Sequence, residues 1–396
     1  MQARANISIV TAILPPDAAD LAIRALFALG EQNSLMLNAR GTVIRDHWFQ
    51  SLLPLISPEL DHLQFLVPDS QVDRIMETIA RTARLQLPGA GAVFSVPCEQ
   101  VECGDEFSFW SSLEDDSELV SDPIELQENL TVISCIAQPD QISAISRAAM
   151  QAGAHGPVAH YCEGRGLRDR LGWLRITKKK TKEVITVIVD NVDKIAVTEA
   201  MIEAGRLGMP GRGFLYRMPV QKGLINLPST VGNRGFSANL RHVIAAIDKM
   251  QGSTDWRDQS VLEHGAAGKG AGLSSLGHFR ERSWLLGQVC FGCIVSRKYT
   301  DMVLDAMLAA GAQGANVSLA RFIEVEAETA ASGVRLNRER GVIRSVLPAE
   351  VSAAVVEAVK VACEAQGIED VCIFIQPVSR GFTYLAPLRD AAGESF

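Results

Sequence analysis

The sequence predicts an α+β protein built from three tandem β-α-β-β-α-β units, and three observations carry that prediction. First, an order of parts (strand, helix, glycine loop, strand) that runs from Val184 to Val220 recurs from Leu63 to Val96 and again from Val342 to Val378. Second, the first two copies are related by a constant offset of 122 residues, with Asp69 falling on Asn191, Gly89 on Gly211, Gly91 on Gly213 and Pro97 on Pro219. Third, each copy is preceded by an apolar strand and a helix that a glycine closes: Gly30, Gly153 and Gly311. Glycine enters the left-handed conformation beyond a helix C-terminus without steric cost, so the three positions read as one recurring helix stop.

Taken in order, Ile7 to Leu14 is an apolar run of strand length, and Pro15 and Pro16 lead into a helix from Asp17 to Leu29. The same opening recurs as Thr131 to Ala137 with a helix from Gln141 to Ala152, and as Gln288 to Val295 with a helix from Thr300 to Ala310. In the second half-unit, Val184 to Val189 is β-branched, and Asp190 and Asn191 supply the turn that leaves the sheet. From Asp193 to Arg206 the apolar residues Ile195, Val197, Ala200, Met201 and Ala204 recur at three- and four-residue steps, the mark of a helix covering one sheet face. Gly208, Pro210, Gly211 and Gly213 end it, and Phe214 to Met218 returns as a strand. The third copy keeps the proline, Pro377, and lacks the loop glycines.

Two β-α-β halves joined by a variable segment make the ferredoxin-like split arrangement, in which two helices cover one face of a four-stranded antiparallel sheet. The other face needs a partner. Three units in one chain can supply it to one another, which predicts an intrachain pseudo-trimer with units at 5–98, 130–222 and 287–380. An acidic connector at 99–129 includes Glu102, Asp105, Glu106, Glu114, Asp115, Asp116 and Glu118 and is expected to be solvated. The second join, 223–286, holds a helix that Ser237 can cap and a glycine-rich linker. Its HGAAGKGAGLSS run lacks the spacing and the preceding strand of a phosphate loop and reads as surface linker.

With 396 residues and an apolar fraction of 47%, the chain can bury a sizeable core. A net charge of -8 argues against a nucleic-acid binder that works by neutralising phosphates. No apolar run is long enough for a membrane span, and MQARANIS lacks a signal-peptide core, so a cytoplasmic location is expected. Eight cysteines in a chain this long do not make a disulfide scaffold; Cys98, Cys135, Cys290, Cys293, Cys363 and Cys372 read as buried thiols. The odd spacing of Cys290 and Cys293 within a strand points them to opposite faces and argues against a redox or zinc pair. His155, His160, His242, His264 and His278 show no ligand spacing and read as surface or linker residues, and Glu324, Glu326 and Glu328 as a solvated strand face. No nucleophile, base and orienting acid converge, so no enzymatic activity is expected.

The helix and loop IARTARLQLPGAGAVFSV, its counterpart EAGRLGMPGRGFLYRMPV and the segment VAHYCEGRGLRD resemble the PII signalling proteins of nitrogen regulation. The resemblance covers units 1 and 2 well and unit 3 by its order of elements. It implies a ferredoxin-like trimer with adenine nucleotide (ATP, ADP or AMP) in clefts between subunits. There the phosphates are held by a glycine loop before the last strand and by the base of a long loop after the second strand. Carried over to this chain, the nucleotide-binding candidates of unit 2 are Gly164, Arg165, Gly166 and Arg168 at the long-loop base and Gly208, Gly211, Arg212 and Gly213 in the glycine loop. Unit 1 offers Gly89 and Gly91, and Lys222 and Arg380, just beyond a last strand, are candidates to reach across from a neighbouring unit. Arg212 stands where the family has an acidic residue, and Phe214 where it has a lysine linked to phosphate and oxoglutarate. The basic run of Arg168, Arg170, Arg175, Lys178, Lys179, Lys180 and Lys182 holds no tyrosine, so the family's uridylylation is not expected. The function implied is regulation of a partner protein by an anionic effector, with neither nucleic acid nor catalytic cofactor; the alternative is a pseudo-trimeric interaction scaffold without a ligand.

Overall fold

The structure, a computed structural model, describes residues 1–30, 33–42, 58–105, 107, 124–166, 181–227, 283–325 and 335–385. The chain begins with β1 (Gln2–Arg4), β2 (Ile7–Leu14), α1 (Pro16–Ala28), β3 (Asn33–Gly41), β4 (Glu59–Pro68), α2 (Val72–Thr82), β5 (Gly91–Pro97) and β6 (Gln100–Cys103). A second run comprises β7 (Leu130–Ala137), α3 (Ile142–Gln151), β8 (His155–Gly166), β9 (Thr181–Asp190), α4 (Lys194–Gly205), β10 (Gly213–Val220) and β11 (Gly223–Asn226). The third comprises β12 (Gln288–Ser296), α5 (Thr300–Ala309), β13 (Gly314–Val325), β14 (Arg335–Pro348), α6 (Ala349–Ala365), β15 (Val371–Val378) and β16 (Arg380–Thr383). The runs are called units 1, 2 and 3 below. The architecture is α+β, one 16-stranded antiparallel sheet carrying six helices among the described residues.

Each unit pairs its four main strands in the same order, last, first, third, second: β5-β2-β4-β3, β10-β7-β9-β8 and β15-β12-β14-β13. The glycines that close α1, α3 and α5 all take positive φ, Gly30 at 98°, Gly153 at 107° and Gly311 at 106°. The offset between units 1 and 2 also has a bonding counterpart. Ser8 donates to the Asp69 carboxylate at 2.7 Å, and Thr131 donates to the Asn191 side-chain oxygen at 2.5 Å, from equivalent strand positions. Pro97, Pro219 and Pro377 occupy one register position, opposite Ser8, Thr131 and Val289. Proline has no N–H for a ladder, and each lies just past the stretch where a further strand is added.

Those further strands tie the units into a closed cycle. β6 of unit 1 pairs with β15 of unit 3, β16 of unit 3 with β10 of unit 2, and β11 of unit 2 with β5 of unit 1. The second strands form another cycle, head to tail: the end of β3 pairs with the start of β8, the end of β8 with the start of β13, and the end of β13 with the start of β3. Each unit therefore covers an edge of one neighbour and has its own edge covered by the other, so backbone donors and acceptors that would template aggregation are consumed.

Helix faces bury the stripes that set the elements. Ala19, Ala22, Ile23 and Leu26 of α1 and Ile75, Met76 and Ile79 of α2 cover Leu14, Leu63 and Phe65, with parallel cores in the other units. At about 1.5–3 kcal/mol for each large aliphatic or aromatic side chain removed from water, these cores dominate the stability of each unit. The opposite sheet faces pack on one another: Ile13, Phe94, Val132, Tyr216, Met218 and Cys290 form one shared cluster, and Ile9, Leu37, Phe322, Val342 and Phe374 another. The α4 stripe differs from the expected one, because Ile195 is exposed and Val197, Met201, Ile202 and Gly205 are buried. Gly205 turns that face toward α3: a Cβ there would lie 2.9 Å from Ile145 Cδ1, so the two helices approach through the missing side chain.

Three further expectations are corrected. Glu102 is not a solvated connector residue; it is buried on β6 and its carboxylate accepts from Lys360 Nζ at 2.8 Å, because β6 adds to the edge of unit 3. Cys372 is not a free thiol: it faces Cys103 in the β15–β6 register with Cα atoms 4.1 Å apart, and the two form a disulfide. His160 is buried at the inner face of β8 instead of lying on the surface. The helix expected near Ser237 with His242, the linker with His264 and His278, the charged run from Arg168 to Lys180, and Glu326 and Glu328 lie outside the described residues.

Candidate anion site at the junction of units 2 and 3

The loop between α4 and β10 is bent by two residues that leave the right-handed region, Arg206 with φ 49° and Gly211 with φ 71°. Unit 1 repeats both, at Arg84 with φ 52° and Gly89 with φ 82°. Gly213 and Gly91 are glycine for a different reason. A Cβ on Gly213 would lie 2.3 Å from the Ile136 carbonyl oxygen, and one on Gly91 2.4 Å from that of Ile13, so the last strand crosses the first too closely for a side chain. Gly208 meets nothing nearer than Phe382 Cζ at 4.0 Å.

Unit 3 closes over this loop. Thr383 on β16 donates its hydroxyl to the Gly213 carbonyl at 2.9 Å, and Phe382 packs into the unit 2 core beneath it. Trp284 lies edge-on to Phe382 at 5.6 Å and carries two guanidinium groups on its ring, Arg217 at 5.2 Å and Arg380 at 5.8 Å. Arg217 is buried, and its Nε finds no hydrogen-bond acceptor. Burial first, and then the charge of Arg380, lower its pKa from the ordinary arginine value, while Glu199 opposes the shift. Arg212 lies on the same loop, half-buried. The junction thus brings Arg217 and Arg380 together on the Trp284 ring, a doubly positive group suited to an anion, while Arg212, five residues earlier on the extended chain, stands roughly 16 Å away.

The register makes the three loops comparable. Where unit 2 has Arg212, Arg217, Arg380 and Phe382, unit 1 has Ala90, Ser95, Lys222 and Leu224, and unit 3 has Asp370, Ile375, Gln100 and Glu102. One junction is basic, one nearly neutral and one acidic. Lys222 does reach across, from unit 2 onto α2 of unit 1, where it is ion-paired with Asp73 at 2.7 Å. In unit 3, Asp370 is held by the buried Arg340 at 2.5 Å.

The remaining candidates lie elsewhere in the same contact. Gly164, Arg165 and Gly166 pair with Asn316, Ala315 and Gly314 on β13, and Arg165 contacts Glu163 at 3.4 Å and Asp301 at 3.3 Å. From the glycine loop on β10 to β8 is three strand spacings, roughly 14 Å, so the two parts sit at opposite edges of unit 2, each capped by unit 3. Arg168 lies outside the described residues. Arg217, Trp284 and Phe382 were missed by sequence reasoning. Arg217 was visible as a lone charge in an apolar strand, but its partners come from a strand and a linker end whose register no local pattern specifies. Cys290 and Cys293 do face opposite clusters, and burial raises both thiols, which keeps them protonated and inert. Among the described residues no group of histidine, cysteine, aspartate and glutamate has metal-holding geometry.

No family model matches the chain, and no curated protein matches it. Among solved structures it is similar to an aspartate kinase from Synechocystis at 9% identity and a TM-score of 0.20, over 94% of this chain and 44% of the kinase. It is likewise similar to a protein designated a monooxygenase from Fusobacterium nucleatum, at 8% identity and a TM-score of 0.19, over 55% of this chain and 93% of that one. The chain thus spans less than half the length of the kinase, and at these scores neither likeness carries an argument about function. No helix among the described residues is long and apolar enough to cross a membrane.

Proposed function

We propose that this chain is a single-chain pseudo-trimer of ferredoxin-like, PII-like units, divided near residues 5–98, 130–222 and 287–380, that binds an adenine nucleotide or a similar anionic effector and regulates a partner protein. The single observation that carries the ligand half of this reading is the pairing of Arg217 and Arg380 on the Trp284 ring, with a buried Arg217 Nε that lacks an acceptor. A phosphate there gains charge-assisted hydrogen bonds, roughly twice as strong as neutral ones, and satisfies that orphan donor. The partner half rests on the PII resemblance alone, and a cytoplasmic location is proposed with it. Catalysis is no part of the proposal.

A specific observation favours the second reading, a scaffold without ligand. Gly91 and Gly213 are required by strand crossing whether or not anything binds, and Phe382 with Trp284 fills space beside the loop. A thermal-shift series with ATP, ADP and AMP separates the two, since a ligand that binds only the folded chain raises its melting temperature by mass action. A saturable rise that Arg380→Gln diminishes supports the sensor; no rise with any of the three supports the scaffold.

A further inference from the structure

The inner sheet faces of the three units line a partly open chamber of about 50 Å³, with residues from every unit. Gln64, Thr186 and Arg344 contribute to it from one equivalent position, four residues before the end of the third strand in units 1, 2 and 3. Only unit 3 supplies a charge there. The Arg344 guanidinium donates to Gln64 Oε1 at 3.1 Å and to Gln376 Oε1 at 3.2 Å and rests 5.4 Å from the centre of the Phe374 ring. Both amide acceptors are neutral, and no carboxylate lines the chamber among the described residues. Arg344 is half-buried, and a cation drawn partly out of water is costly when its counter-charge is missing. Across the chamber His160 is 8% exposed, and its Nδ1 has no hydrogen-bond partner. The His62 ring lies 5.6 Å from it, and Thr11, Ser134 and Asn316 add donors to the wall.

We propose that this chamber is a binding site for a small inorganic anion such as chloride or nitrate, with Arg344 as its counter-ion and His160 and the wall hydroxyls as donors. Size selects the class. On the same measure one water needs about 10–15 Å³, so the space takes a few water-sized bodies and excludes a nucleotide. The site is independent of the junction described above, because it shares no residue with the arginine cluster. Its ligand touches all three units at once, so the anion acts as a central tie holding them in register.

The test is a melting series in sodium nitrate and sodium chloride, with ionic strength held constant by sodium gluconate, whose anion is too large to enter. The full-length protein is expected to show a melting temperature that rises and saturates with either small anion. Arg344→Met, which keeps the stem and removes the charge, is expected to weaken that response at least roughly tenfold, while Arg206→Gln on the exposed loop leaves it unchanged. A non-saturating rise of equal size in all three proteins overturns the proposal. Should Arg344→Met fail to fold, chloride-35 line broadening by the unmodified protein decides: broadening reversed by nitrate is expected, and its absence contradicts the site.

Discussion

Gly213 and Gly208 sit five residues apart on one loop and are glycine to very different effect. Alanine at 213 must hold a φ of 149° and place a Cβ 2.3 Å from a backbone oxygen, whereas alanine at 208 meets only Phe382 Cζ at an ordinary contact distance of 4.0 Å. Chemical denaturation is expected to find Gly213→Ala destabilised by about 1–3 kcal/mol or more and Gly208→Ala within about 1 kcal/mol of the parent. Equal effects would contradict the close strand crossing. The buried histidines give a second residue-level outcome. Desolvation, with the Arg344 charge as a lesser cause, lowers His160 to about 4, and desolvation followed by the charge of His160 lowers His62 well below the ordinary value of 6.5. Between those values and 6.5 the unfolded chain binds more protons than the folded one, so stability is complete above about pH 6.5 and falls as pH drops. The slope is about 1.4 kcal/mol per pH unit for each histidine. Denaturation midpoints at pH 7 and pH 5 in His160→Gln and the parent check this; the variant should lose less on acidification.

At the scale of elements, β6 is where the sequence was least informative. Val101 alone among Gln100–Cys103 carries a strand signal, and the acidic residues that follow made the whole connector read as solvated. The strand exists because its partner, β15, lies in sequence far beyond any local pattern and offers an open edge. The same distance hid the Cys103–Cys372 disulfide, which closes a separation of 269 residues. Removing this link is expected to cost about 2–4 kcal/mol. Urea unfolding with and without reductant measures it: the parent should lose stability on reduction, and Cys103→Ser should start lower and be indifferent to reductant. Identical midpoints in all four conditions would mean the link does not bear on stability. By contrast, the helices and main strands were legible, because periods of two and 3.6 residues are local. The three helix-closing glycines and the recurring proline were legible too, since each answers a constraint of its own backbone position.

For the whole molecule, one four-strand order occurs three times, and the two closed pairing cycles give the arrangement a direction that sequence does not carry. Unit 1 lends its added strand to unit 3, unit 3 to unit 2 and unit 2 to unit 1. The inequality of the loops was partly readable. Arg212 against Ala90 and Asp370 was plain in the sequence, but Arg217 opposite Arg380 required the register. From that inequality follows the central claim, that one junction of the three holds the anionic effector. Isothermal titration calorimetry of the full-length protein with ATP, ADP and AMP tests it most directly. The account predicts one site per chain for at least one of these nucleotides, weakened roughly tenfold by Arg380→Gln and unaffected by Lys222→Gln. Three equivalent sites per chain, one site indifferent to Arg380, or no heat with any of the three would contradict it.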